Sequence, residues 1–246
     1  MLKIVHVTTG LAQGGAERVL TEHVIADTSR KHVVVSLMDE GHFGARLRKA
    51  NISLITLGMH SPRGMPVALF RLAKTLWRER PNIIVSWLYH ADLMATIANM
   101  VTVRRPLAWN IRCSQMDFRQ YRKSTQLVVR LLIELSRWVT IAGHNSHSGR
   151  FEHERLGYRP RSWHYLPNGF DTTRWSVEPQ QRQAARKALS LDSDSTVLIF
   201  SARVDPQKGY DVMLMAFAQA RLSRPDLHLI CLGRGTEDLV LAPDLT

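Results

Sequence analysis

Short apolar runs alternate with longer stretches whose apolar positions recur every three or four residues. The runs Lys3–Thr8, His32–Leu37, Ser53–Leu57, Asn82–Trp87, Leu107–Ile111, Trp138–Gly143 and Ser162–Leu166 predict strands. Between them, Ala16–Ala26, Gly44–Asn51, Val67–Glu79, Ala91–Val101, Ser124–Arg137 and Ser146–Leu156 predict helices. Pro81 ends the third of these, and Gly58–Pro66 reads as loop. Strands alternating with helical stretches argue for a parallel sheet flanked by helices, an α/β fold. In Ser124–Arg137 the apolar positions 127, 128, 131, 132 and 135 form one face. That face predicts packing on the sheet, with a membrane-lying helix as the alternative.

The pattern breaks from Thr172 to about Gln181, where polar residues surround Pro179, and this predicts a linker. Arg182–Leu189 predicts a short helix. The alternation then restarts with strand Thr196–Ala202, helix Tyr210–Ala220 and strand Leu227–Leu232. The expected division is therefore a complete domain over 1–170, a linker or hinge region over 171–189 and a partial domain over 190–246. One strand–helix–strand unit does not close a stable sheet by itself. The last segment is expected to be the opening of a larger domain, or a small annex to the first.

Composition narrows the class of partner. The 246 residues are 45% hydrophobic and carry a formal net charge of +12, which implies a substantial core and an anionic partner. Twelve Arg and Lys residues face four acids between Arg104 and Arg161. An anionic membrane surface is one partner this stretch implies, and a solvated basic face is the plain alternative. Aromatic residues do not interleave with the cations in a nucleic-acid-binding pattern, so no specific nucleic-acid partner is expected. Cys113 and Cys231 lie far apart in sequence, which supports neither a disulfide framework nor a zinc site and makes a reducing compartment, the cytoplasm, the default. The opening MLKIVHVTTG is too short in its apolar run for a signal peptide, and no apolar run approaches the roughly 18 residues of a membrane span.

Three places carry candidate chemistry. Ser201–Gly209 (SARVDPQKG) lies between a predicted strand and a predicted helix, which is where ligands bind in open α/β sheets. There the fork of Arg203 and the point charge of Lys208 suit a diphosphate, beside the free N–H groups of a helix start. Solvated loop charges fit those two residues as well. Near the N-terminus, Gly10 to Gly15 join the first strand to the first helix, and their glycines let backbone approach a ligand closely. The spacing is not G-x-G-x-x-G, so no dinucleotide fingerprint is present, and a plain strand-to-helix turn is the alternative. His90 follows the fourth strand in SWLYHAD, at a position where a lone histidine serves structure more often than function.

GGAERV after the first strand, PNGFD before the linker, SARVDPQKG and LGRGTE occur in that order. Together they resemble the family 4 (group 1) glycosyltransferases, retaining enzymes of the GT-B fold, through roughly Met1–Asp238. The resemblance implies two Rossmann-like domains, the N-terminal one on the acceptor side and the C-terminal one binding a nucleotide-sugar. It implies transfer of the sugar to a hydroxyl acceptor with retention, in cell-surface polysaccharide or glycolipid synthesis, by a cytoplasmic protein peripheral on the inner face of the membrane.

By the same resemblance Arg203 and Lys208 hold the donor diphosphate and stabilise the leaving nucleotide, so that no metal and no separate cofactor is required. Gly14 and Gly15 face the donor, Gly233 and Gly235 lie near the nucleotide, and Asn168 and Gly169 mark the hinge. Two departures stand out. Many members place a histidine after the fifth strand, where this chain has Arg112 and Cys113, with His90 as a rival candidate. The family's E-x7-E element has no counterpart before Thr246: eight positions after Glu237 stands Leu245. A truncated donor domain is therefore expected, and a catalytically silent fragment or split subunit is the alternative reading of the whole.

Overall fold

The β-branched runs of the first 170 residues become seven strands. They are β1 (Lys3–Thr8), β2 (Lys31–Ser36), β3 (Ser53–Thr56), β4 (Ile83–Trp87), β5 (Leu107–Ile111), β6 (Ile141–His144) and β7 (Trp163–Tyr165). In this computed structural model, which describes residues 1–113, 123–176 and 178–239, the seven strands pair in parallel in the order β3-β2-β1-β4-β5-β6-β7. The order reverses between β1 and β4, whose register sets Thr8 beside Trp87 at the carboxyl ends. In doubly wound sheets that switch point is where ligands bind.

Helices cover both faces. α1 (Gly15–Ala26) and α2 (Gly44–Lys49) pack Leu20, Val24 and Leu47 against Val34 and Trp87. The other face carries α3 (Met65–Glu79), α4 (Tyr89–Val101), α5 (Lys123–Leu135) and α6 (His147–Leu156). α4 packs against both α3 and α5 and is buried along most of its length. Leu72, Leu76 and Leu132 retain no exposed surface, and each such side chain contributes about 1.5–3 kcal/mol by leaving water.

One strand boundary and one buried helix face depart from expectation. The sixth strand starts at Ile141 rather than Trp138, because Ser136–Trp138 forms a 3-10 turn. Ser136 Oγ donates to Ile133 O and accepts from Arg159 N, which fixes that turn and leaves Trp138 on the surface. The predicted face of α5 is also rotated. Val128, Val129 and Leu132 are buried, whereas Leu127 and Leu131 are exposed.

The chain divides into two compact units, Met1–Phe170 and Asp171–Thr246. The second opens with a 3-10 turn, Thr172–Trp175, and helix α7, Pro179–Ala188. Pro179 starts that helix instead of belonging to a linker, since a proline at the first helical turn gives up no hydrogen bond. Parallel strands β8 (Thr196–Ser201) and β9 (Leu227–Leu232) flank helix α8 (Tyr210–Ser223). Leu198, Ile199 and Leu232 of this two-stranded sheet stay exposed.

Candidate functional site

In the second unit, the loops after β8 and β9 lock together backbone to backbone. Val204 N donates to Arg234 O at 3.0 Å, and Ala202 N to Leu232 O at 2.9 Å. Gly233 has φ +149°, and a side chain there would place Cβ 2.0 Å from Ala202 O, so only glycine fits. Gly235 lies against Val204. Tyr210 Oη donates to Ala202 O at 2.6 Å, tying the loop to the start of α8.

Within the loop Asp205 accepts from Gln207 N at 3.0 Å, which caps the short 3-10 turn Pro206–Lys208. It also accepts from Arg203 Nε at 3.1 Å. The Gln207 amide, joined by Arg203, holds the Asp205 carboxyl below its usual range. Arg203 and Lys208 are both exposed. They sit at the carboxyl end of a parallel strand, ahead of a helix, as the sequence predicted. Asp205, the partner that fixes the Arg203 fork, was not anticipated. Its signal is the Asp-Pro pair itself, since Asp ahead of Pro at a turn start is a capping arrangement.

In the first unit, the loop after β1 lies at the switch point. Thr8 Oγ1 donates to Gly10 O at 3.0 Å, and Phe43 N to Leu11 O at 3.0 Å. Gly14 is the N-cap of α1 with extended backbone and no side-chain cap bond. Nothing lies within 4 Å of where a Cβ on Gly15 would sit, whereas one on Gly14 would meet the Glu17 carboxylate at 2.3 Å. Burial raises the Glu17 pKa. Gly15 therefore leaves open space at the helix start, whereas a side chain on Gly14 would have to displace the Glu17 carboxylate, and neither glycine is required for handedness.

His90 and Arg112 occupy neighbouring strand ends. α4 begins at Tyr89, so His90 lies in a helical first turn and not in a loop. Burial lowers its pKa. Between β4 and α4 stands Leu88, with φ 74° and ψ 150°, a region essentially reserved for glycine and associated with functional sites. Arg112 follows β5. Its guanidinium lies over the Trp87 ring at 5.3 Å, and Nη1 donates to Asn168 Oδ1 at 2.6 Å. Arg112 Nε is buried and has no partner among the described residues, and burial lowers the arginine's pKa. Gly169 has open space around it. The structure thus joins Arg112 to Asn168, two positions 56 residues apart that sequence left unconnected.

Trp87 continues inward. Its Nε1 donates to His6 Nδ1 at 3.3 Å, so His6 carries its proton on Nε2 and donates to His32 Nδ1 at 2.9 Å. His32 Nε2 then lies 3.2 Å from Asp27 Oδ2, close but outside hydrogen-bond geometry. Burial, reinforced by His32 and His23, pushes the His6 pKa well down and keeps it neutral. Bonds from Ser29 and Arg30 hold Asp27 well below the carboxylate range. This buried chain ends under the Trp87 ring that carries Arg112. Only the register of β1, β2 and β4 brings its members together, so no local signal could have shown it.

Beneath the same strand ends Ser86 Oγ donates to Asp92 Oδ1 at 2.6 Å. Burial lifts the Asp92 carboxyl to about 8. Burial likewise raises the Cys113 thiol, which disfavours a thiolate there. Among the described residues no group of three or more His, Cys, Asp or Glu is arranged to hold a metal ion.

No protein-family model matches the chain. It is 31% identical over 81 residues to the GDP-mannose-dependent monoacylated alpha-(1-6)-phosphatidylinositol monomannoside mannosyltransferase of Corynebacterium glutamicum, a match covering 32% of this chain and 21% of that protein. It is 35% identical over 68 residues to the lipopolysaccharide 1,2-N-acetylglucosaminetransferase of Salmonella typhimurium, covering 28% of this chain and 17% of the relative. Among solved structures, Anabaena HepE in complex with UDP-glucose superposes with a TM-score of 0.81 at 22% identity, covering 97% of this chain and 63% of HepE. Sucrose-phosphate synthase from Thermosynechococcus elongatus gives a TM-score of 0.74 at 12% identity, with 95% and 62% covered. The chain therefore spans less than two thirds of these solved structures, and its matches span about a fifth of the curated relatives. Sequence and fold agree: the chain has the GT-B type of α/β fold and resembles the family 4 (group 1) glycosyltransferases.

Proposed function

We propose that this chain takes part in transferring a sugar from a nucleotide-sugar to a hydroxyl acceptor with retention of configuration. The observation that carries this is the Ser201–Gly209 loop, which presents two exposed cations at a parallel strand's carboxyl end in a fold shared with a UDP-glucose complex. Arg203 and Lys208 bind the diphosphate and stabilise the charge of the leaving nucleotide. The Gly233 and Gly235 loop sits near the nucleotide, while Gly14 and Gly15 present the bare start of α1 to the donor's anionic groups. Arg112, stacked on Trp87 and bonded to Asn168, acts at the acceptor-side edge, with His90 as a neutral neighbour. Residues 1–170 form the acceptor-side domain, and Asn168-Gly169 the hinge.

The acceptor is a lipid-linked or cell-surface saccharide, a reading supported by the lipid acceptors in the relatives' names, and the protein works at the inner face of the membrane. No helix among the described residues is long and apolar enough to cross a membrane. The test is release of free nucleotide from a panel of nucleotide-sugars, with the product anomer read by NMR. An inverted anomer would remove the retaining assignment.

The exposed Leu198, Ile199 and Leu232 of β8 and β9 favour a second reading, in which turnover requires a further polypeptide segment over that sheet. Nucleotide release that appears only when such a segment is supplied would select that reading.

A further inference from the structure

α3 and α5 bury their inner faces in the same core, on either side of α4. Their outer faces share an unusual composition. On α3, Val67, Phe70 and Trp77 are 54%, 70% and 62% exposed, with exposed Arg71 and Lys74 between them and Arg78 beside Trp77. On α5 and the turn after it, Leu127, Leu131 and Trp138 are exposed and alternate with Lys123, Arg130 and Arg137. Each stripe mixes large apolar side chains with cations and ends in adjacent Trp and Arg. Arg137 pairs with Glu134, but among the described residues Lys74, Arg78 and Arg130 have no acidic partner. Packing distances of 8–10 Å place the two helix axes within roughly 20 Å of each other.

The mixture decides the kind of partner. Protein–protein interfaces enrich arginine and aromatic residues but deplete lysine and keep charge at the rim, whereas here cations, Lys74 and Lys123 among them, interleave with the apolar side chains on nearly every turn. Nucleic acid would use the cations but would not reward exposed Phe70 and Leu131 in the middle of a helix. A headgroup layer uses both: cations meet anionic phosphates, and Trp and Phe settle at the boundary with the acyl chains. We infer that the outer faces of α3 and α5 are a docking surface for an anionic lipid bilayer. The surface stands on exposure and charge alone, and its use in catalysis rests on the proposed function.

The test uses the whole chain with no nucleotide-sugar present, so it succeeds or fails independently of turnover. Mixed phosphatidylglycerol–phosphatidylcholine vesicles should sediment the protein, pure phosphatidylcholine far less, and the difference should shrink in high salt. Lys74→Gln should weaken uptake about fivefold, the effect of one cation near the surface. Lys49→Gln, on the opposite helix layer, should leave it unchanged. Vesicles should also shift tryptophan emission to the blue, and Trp77→Ala with Trp138→Ala should abolish the shift while an unchanged melting temperature shows the fold intact. Equal uptake by both vesicle types, equal effects of the two lysine changes, or a blue shift surviving loss of both tryptophans would overturn the inference. So would duplex DNA binding through Lys74 with no uptake by vesicles.

Discussion

Arg203 is the residue on which the proposed chemistry depends most. It is exposed, and two of its nitrogens already lie against Asp205, so truncating it disturbs no core. Arg203→Ala should lower nucleotide-sugar turnover by about 10²–10³-fold, the usual cost of removing one charge-stabilising donor, with an unchanged melting temperature. Turnover that survives largely intact would end the diphosphate assignment. Asp92 makes a separate prediction. Its carboxyl is fully buried and lifted from 3.8 to about 8, so the folded state takes up a proton that the unfolded chain releases. Stability should be full below the unfolded value and fall as pH rises from 3.8 toward about 8. Asp92→Asn, which can still accept from Ser86, should flatten that slope and raise stability at pH 8 in denaturant titrations. A slope equal to that of the parent protein would show that Asp92 does not carry the proton.

At the scale of elements, the tie between the loops after β8 and β9 is tightly constrained, since of the glycines in the described residues Gly233 meets the nearest backbone. Gly233→Ala forces Cβ onto the Ala202 carbonyl in a backbone region that disfavours side chains, and should cost about 2–3 kcal/mol or more. Calorimetry of the variant would check this, and a loss below about 0.5 kcal/mol, within the range of ordinary surface changes, would mean the loops move apart freely. Strand positions were legible because buried parallel strands leave continuous apolar runs. The packing of α5 was not. Leu127 and Leu131 satisfy the helical period as well as Val129 does, and only the neighbours of α5 decide which residues turn inward. Leu88 was invisible for a different reason, because backbone strain at a leucine has no compositional signature. The link from His32 through His6 to Trp87 needs three strands in register, so it is a property of the sheet rather than of any segment.

For the whole molecule, the seven-stranded sheet and both hydrophobic clusters lie within Met1–Phe170. A fragment of residues 1–170 should therefore fold alone and unfold cooperatively, as followed by circular dichroism. A molten fragment without a sharp transition would show that the second unit is needed to complete the first. The four motifs located the loops now found at strand ends in each unit. They did not show how those loops are held, because capping by Asp205 and the Arg112–Asn168 bond are tertiary or turn-level facts.

The Arg203–Asp205 pair has a consequence for how any anion arrives. A guanidinium already matched to a carboxylate keeps its fork aimed and partly immobilised before a ligand appears. An incoming phosphate therefore meets an exchange of partners, not capture by a bare charge. Such a loop discriminates by the strength of the replacement: monovalent anions gain little over the resident carboxylate, while a doubly charged diphosphate can dislodge it. The pair is half-exposed and worth about 0–1 kcal/mol, so on the proposed function it aims the fork while leaving a diphosphate little to displace.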